Sequence, residues 1–177
     1  MLTAILLAVV AIVAVVLMLA SRQPDSFRVE RRATINASPD RVFPLINDFH
    51  RWDSWSPWEK LDPAMQKTFD GPATGVGSSY AWKGNSKAGE GRMEIVDSRP
   101  ASRVGLKLDF LKPFKSSNTT DFDLAPSGNG TDIRWSMSGP HTMMSKVMCL
   151  FTSMDRMVGK DFEEGLANLK REAEAPA

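Results

Sequence analysis

Side chains able to move a proton, attack a carbon or hold a metal are sparse in this sequence. Two histidines, His50 and His141, flank loops, and the order of residues ties neither to a serine or carboxylate partner, so both read as turn or surface residues rather than general bases. The single cysteine, Cys149, excludes an internal disulfide and lies in an apolar helical pattern, where it reads as a small core side chain. Asp121-Phe122-Asp123 is an outward pair on a strand, and no clustered His, Cys or carboxylate set suggests a metal. Gly75-x-Gly77 lacks the third glycine and the strand-turn-helix setting of a dinucleotide site, and no phosphate loop is present. With 22 Lys and Arg against 21 Asp and Glu and no basic stripe, nucleic acid is not an expected partner. No catalytic residue, cofactor or metal is assigned.

The informative residues are aromatic. Trp52, Trp55 and Trp58, three of the five tryptophans, fall within seven residues. Indoles are large, stiff and half polar, so such a group either plugs the end of a core or walls a cavity. Of the three, Trp52 is expected in the core, and Trp55 and Trp58 at a cavity mouth.

The surrounding patterns supply the elements. Phe27, Val29, Ala33 and Ile35 alternate with polar residues and predict a half-buried strand over 27–36. Ser38-Pro39 begins a short helix whose apolar face carries Val42, Phe43, Leu45 and Ile46, and the Trp-rich segment forms a second short helix or turn interrupted at Pro57. From Met65 to Ser138, about six strands are separated by turn signals at hairpin spacing, which predicts an antiparallel sheet with one apolar face. From Thr142 to about Arg171 apolar residues recur every three or four positions, as in one long amphipathic helix or two in sequence. Five of the ten methionines lie there, and flexible thioethers suit either an ordinary core or a wall that fits irregular ligands.

Strand parity then gives the inward side chains. Tyr80, Trp82, Met93, Leu108, Trp135 and Met137 form an apolar inner face, joined from the helical segment by Met144, Met148 and Phe151. Asn118 and Thr120 share parity with Phe122, so that flank of the inner face is either polar or simply exposed. Arg31 shares parity with Val29 and Ala33, and a guanidinium on an apolar face needs a partner: an internal carboxylate, or the anionic head group of a ligand.

Residues 1–20 carry no charged side chain, and at 1.5 Å per residue a helix of that length spans roughly 30 Å, a bilayer's hydrocarbon core. The uncharged start and the lack of a small-x-small cleavage site favour an anchor over a cleaved signal peptide. Arg22, Arg28, Arg31 and Arg32 follow the span, which by the positive-inside tendency leaves the domain in the cytoplasm. The expectation is a single-pass protein of a bacterial inner membrane.

The run Val29-x-Arg31-x-x-x-Ile35-x-Ala37-x-Pro39-x-x-Val42-Phe43-x-x-Ile46-Asn47-Asp48, then Trp52-x-x-Trp55-Ser56-Pro57-Trp58, then Asp161-Phe162-Glu163-Glu164-Gly165-Leu166-x-x-Leu169, resembles the START-like or SRPBCC superfamily, and within it the polyketide cyclase/dehydrase-like group. That resemblance implies an α+β helix-grip fold, a curved antiparallel sheet wrapped around a long C-terminal helix with a cavity between them. Across the superfamily such cavities hold sterols, lipids, quinones, hormones or polyketides, and a minority of members catalyse cyclisation or dehydration. The expected organisation is an anchor at 1–21, a linker at 22–26, a ligand-binding domain at 27–172 and a disordered tail at 173–177. The expected partner is a hydrophobic small molecule; the other readings are a cyclase-type enzyme, with Tyr80 or Arg31 as its acid or base, and a regulatory domain whose cavity holds no ligand.

Overall fold

The computed structural model describes residues 1–176; Ala177, at the end of the expected tail, lies outside the described residues. Helix α1 (Leu2–Ser21) is followed by strand β1 (Ser26–Ile35), helix α2 (Pro39–Asn47) and two 3-10 turns, Phe49–Ser54 and Pro57–Lys60. Six strands come next, β2 (Gln66–Asp70), β3 (Ser79–Lys83), β4 (Glu90–Arg99), β5 (Arg103–Lys112), β6 (Ser116–Ser127) and β7 (Gly130–Pro140), then α3 (Met143–Met148) and α4 (Met154–Glu174). The seven strands form one antiparallel sheet in the order β1-β7-β6-β5-β4-β3-β2. Hairpins account for every neighbour except β1 beside β7, so the chain returns to its first strand just before the helices that cover the inner face.

That inner face is apolar as period-2 alternation requires. Val104, Leu106 and Leu108 of β5, Phe122 and Leu124 of β6 and Ile133, Trp135 and Met137 of β7 are buried, and they meet Phe162, Leu166 and Leu169 of α4 in one core. The outer face is wet: Arg103 pairs with Asp97, Asp121 and Asp123, and Arg134 also reaches Asp123. Asp121 and Asp123 therefore serve an ion-pair network on the sheet's outer surface.

Two tryptophans solve a problem left by α2. The last carbonyls of a helix have no partner within it. The Trp52 indole N–H donates to the Ile46 carbonyl at 3.0 Å and that of Trp55 to the Leu45 carbonyl at 2.9 Å. Their rings then fill the space beneath, with Trp55 4.7 Å from Trp52 and edge-on to Phe122 and Trp135.

The C-terminal segment is two helices, divided at Cys149–Ser153, where the Ser153 hydroxyl accepts from the Arg156 N–H and restarts the helix. Helix α4 passes so close to the sheet that a Cβ at Gly165 would lie 2.7 Å from the Trp135 ring. It runs through Glu174, so the tail expected from 173 begins inside it: Ala173 is buried, and the Glu174 carboxylate accepts from the Asn36 N–H at 2.6 Å.

Candidate functional site

Between the sheet and α4 lies a cavity of about 340 Å³. Its walls are Trp58 and Trp52 from the 3-10 turns, Tyr80 and Trp82 from β3, Met93 and Leu108 from β4 and β5, Thr120, Trp135 and Met137 from β6 and β7, and Val158, Asp161 and Phe162 from α4. The aromatic walls brace one another. Trp135 stacks on Phe162 with ring centres 4.2 Å apart, and Trp58 stands edge-on to both.

A second cavity of about 220 Å³ adjoins the first, sharing Phe110, Met137 and Val158 with it. Its walls are softer: Met144, Met148, Met154 and Met157 face Phe27, Phe114 and Asn118. The two spaces form an interrupted groove beneath α3 and α4.

The first cavity has one strongly polar corner. Glu59 is nearly enclosed, with 6% of its side chain exposed, and its carboxylate accepts from the Tyr80 hydroxyl at 3.0 and 3.1 Å and from the Lys67 ammonium at 2.5 Å. Burial pushes the Glu59 carboxyl above the usual range against the pull of Lys67 and Tyr80. Burial, then the Glu59 charge, pushes the Tyr80 phenol up as well. On the facing helix, burial raises Asp161, helped by neighbouring Glu164. Two carboxyl groups whose pKa values burial raises thus line a largely apolar space, Glu59 with its oxygens already accepting from Lys67 and Tyr80 and Asp161 on the helix opposite.

The expected site residues distribute unevenly. Trp58, Tyr80, Trp82, Met93, Leu108, Thr120, Trp135 and Met137 gather around the first cavity; Asn118, Met144, Met148 and again Met137 line the second. Asn118 and Thr120 are buried, which places their polar groups on the inner face rather than in solvent. Trp55 is corrected: it is completely buried, because its N–H caps α2, and it is Trp52 whose ring reaches the cavity wall. Phe151 is also corrected, since it lies in the break between α3 and α4 with 81% of its surface exposed.

Arg31 lines neither cavity. Its guanidinium crosses α4 above Gly159, where a Cβ would collide with it, and binds Asp155 at 2.7 and 3.0 Å and Glu163 at 2.7 Å. Asp155, Gly159 and Glu163 are spaced by four, so they form one stripe of the helix, and Arg31 fastens the edge strand to it. Both carboxylates are more than half exposed, so the clamp is a surface feature and not a head-group site. Tyr80 is likewise committed, as a donor to Glu59. Glu59 itself, along with Asp161, was missed by sequence reasoning; the only signal was its position beside Trp58.

A sheet that grips a C-terminal helix over a cavity defines a helix-grip domain. The chain belongs to the polyketide cyclase / dehydrase and lipid transport family, whose sequence profile matches residues 26–174. No curated protein matches the chain. Among solved structures it is similar to protein CV1439 from Chromobacterium violaceum, at 16% identity over 87% of this chain and 100% of that one, with a TM-score of 0.60. It is also similar to the Aha1 dimer from Colwellia psychrerythraea, at 20% identity over 84% and 96% with a TM-score of 0.57. A third similar structure is DynU16, from the dynemicin biosynthetic locus, at 16% identity over 86% of this chain and 48% of that one, TM-score 0.59. At these identities the likeness is one of fold.

Helix α1 has a mean hydropathy of 3.2, and none of that apolar window is buried against the domain. By length and composition it is able to cross a membrane or to act as a signal sequence.

Proposed function

We propose that this protein is a membrane-anchored module that binds or transfers a hydrophobic small molecule, held in the cavity beneath α4. The observation that carries the reading is the wall of that cavity, where braced aromatic rings and thioethers surround about 340 Å³ with one polar corner. An apolar wall supplies affinity, and the carboxyl groups of Glu59 at the polar corner and of Asp161 on the facing helix orient the polar groups of the occupant. Anchoring by residues 1–21 holds such a cavity within a few residues of the lipid in which a hydrophobic ligand dissolves.

On this reading residues 22–177 lie in the cytoplasm of a bacterial cell. Reporter fusions at the C-terminus test that: strong periplasmic alkaline phosphatase activity, or a mature chain beginning near Ser21, contradicts it. The ligand is tested by purifying the full chain from its own membranes and identifying what organic extraction releases. A defined compound at near one per chain, lost in Trp58→Ala, supports the reading; bulk membrane lipid at variable ratio contradicts it.

A second reading, an enzyme of the cyclase or dehydrase type, is favoured by the two carboxyl groups whose protonated form burial supports in the cavity wall. In that case Glu59 or Asp161 donates the proton that makes a hydroxyl leave or a carbonyl accept a carbon nucleophile. Glu59→Gln separates the readings, since a binder keeps its ligand unchanged in mass while an enzyme accumulates unconverted substrate.

A further inference from the structure

Strand register fixes which end of the domain faces the anchor. β1 begins at Ser26 opposite Pro140, and β7 lies beside β6, which begins at Ser116 after the turn from β5; β4 begins at Glu90 opposite Lys112. The turn at 113–115 and the start of α3 therefore lie at the end of the sheet where α1 joins the domain. The turns at 71–78, 100–102 and 128–129 lie at the other end. Direct contacts fasten α1's exit to this end: α1 packs against α3, Ala20 is fully buried, and Asp25 binds the Lys146 ammonium at 2.5 Å while its carbonyl accepts from the His141 N–H.

The same end is unusually greasy. Phe114 is 53% exposed, Met144 49%, Met157 41% and Phe151 81%, and the first three line the second cavity, so the rim of that cavity is itself an exposed apolar patch. Lys115, beside Phe114, also lines it and forms no ion pair among the described residues. The far end of the sheet exposes one large apolar residue in its turns, Val76. An apolar rim with a cation at its edge, carried where a membrane-length helix leaves the domain, matches a lipid surface in both chemistry and position.

We infer that Phe114, Met144, Phe151 and Met157 dock into the face of the bilayer that α1 spans, so that the methionine-lined second cavity opens directly onto lipid. This rests on the anchoring proposed above, and it adds a route: a hydrophobic molecule passes from bilayer to the second cavity and, past Phe110, Met137 and Val158, into the first without crossing water. Thioethers suit the entry because they adapt to a moving ligand, while the braced aromatic chamber beyond them holds a fixed one.

The test uses the full chain in proteoliposomes of phosphatidylcholine with phosphatidylglycerol. On a Cys149→Ser background, Phe114→Cys, Phe151→Cys and, as control, Val76→Cys carry a nitroxide label whose relaxation by oxygen and by a water-soluble nickel chelate is measured. Docking predicts that labels at 114 and 151 favour oxygen several-fold over the control at 76. Met144→Cys reads the same face if a phenylalanine variant fails to fold. Equal, chelate-accessible labels at all three positions in a chain that resists carbonate extraction overturn the docking and leave the anchor standing; release by carbonate removes both. Protection that disappears when vesicles hold at most one chain each also overturns it, since a second copy then covers the patch.

Discussion

The two cavities share three residues and little else. One is walled by tryptophans locked edge to face, and Trp135 lies between Phe122 and Phe162 with its neighbours held by helix-capping hydrogen bonds. The other is walled by four methionines, two from α3 and two from the first turn of α4, with Phe114, Met144 and Met157 exposed at its rim. Rigid rings keep a chamber open in the absence of a ligand, whereas unbranched thioethers close over whatever enters. On the proposed reading, selection falls to the aromatic chamber and passage to the methionine one.

The sharpest way to break that division is to remove rings of different duty. Trp55→Ala deletes a completely buried indole and strands the Leu45 carbonyl, and should cost about 3–5 kcal/mol, read as a large drop in the melting temperature of the purified chain. Trp58→Ala, at the cavity wall, should cost much less stability and most of the bound ligand. Equal melting losses would show that the cluster is a single plug. Next in size is Gly165→Ala, which drives a methyl group toward Trp135 and Pro57 and should cost about 1–3 kcal/mol in the same melting assay, with reduced ligand content because the chamber narrows.

A smaller effect is expected at the edge strand. Arg31→Met should cost only about 1 kcal/mol, because the carboxylates it leaves behind, Asp155 and Glu163, are already solvated, and ligand content should not change. Loss of ligand at full folding would return Arg31 to the binding site. The same clamp sets a pH dependence. The hydrogen bond from Arg31 holds the Asp155 carboxyl below its ordinary 3.8, so its contribution is present above that value and fades as pH falls through the lowered one. Wild type should therefore lose more stability than Arg31→Met between pH 5 and pH 3, measured by denaturant titration; parallel curves would show the clamp carries nothing.

How much of this was legible in the sequence follows from periodicity. Strands such as Val104–Phe110 and the stripe of α4 repeat at fixed intervals, so the sheet, its polarity and the cavity-facing set from Tyr80 to Met137 could be read directly, and the family motif gave the grip. The 3-10 turns have no such regularity. Trp55 and Trp58 are three residues apart, yet one turns inward to cap α2 and the other lies along the wall, so neither that division nor the place of Glu59 could be read by counting. Parity did put Arg31 on the helix-facing side of β1; its partners, 124 and 132 residues away, were beyond any local pattern. The extent of α4 to Glu174 was missed because its last turn is charged apart from buried Ala173.

The central claim, that the aromatic chamber is the ligand site, is tested most directly by filling it. Leu108→Trp places an indole in the 340 Å³ space while leaving the capping tryptophans untouched. Native mass spectra of the full chain, purified from its own membranes in detergent, should show wild type with an adduct of one fixed mass. Leu108→Trp, folded by circular dichroism, should show the bare chain. An identical adduct on both, or none on either, would contradict the account.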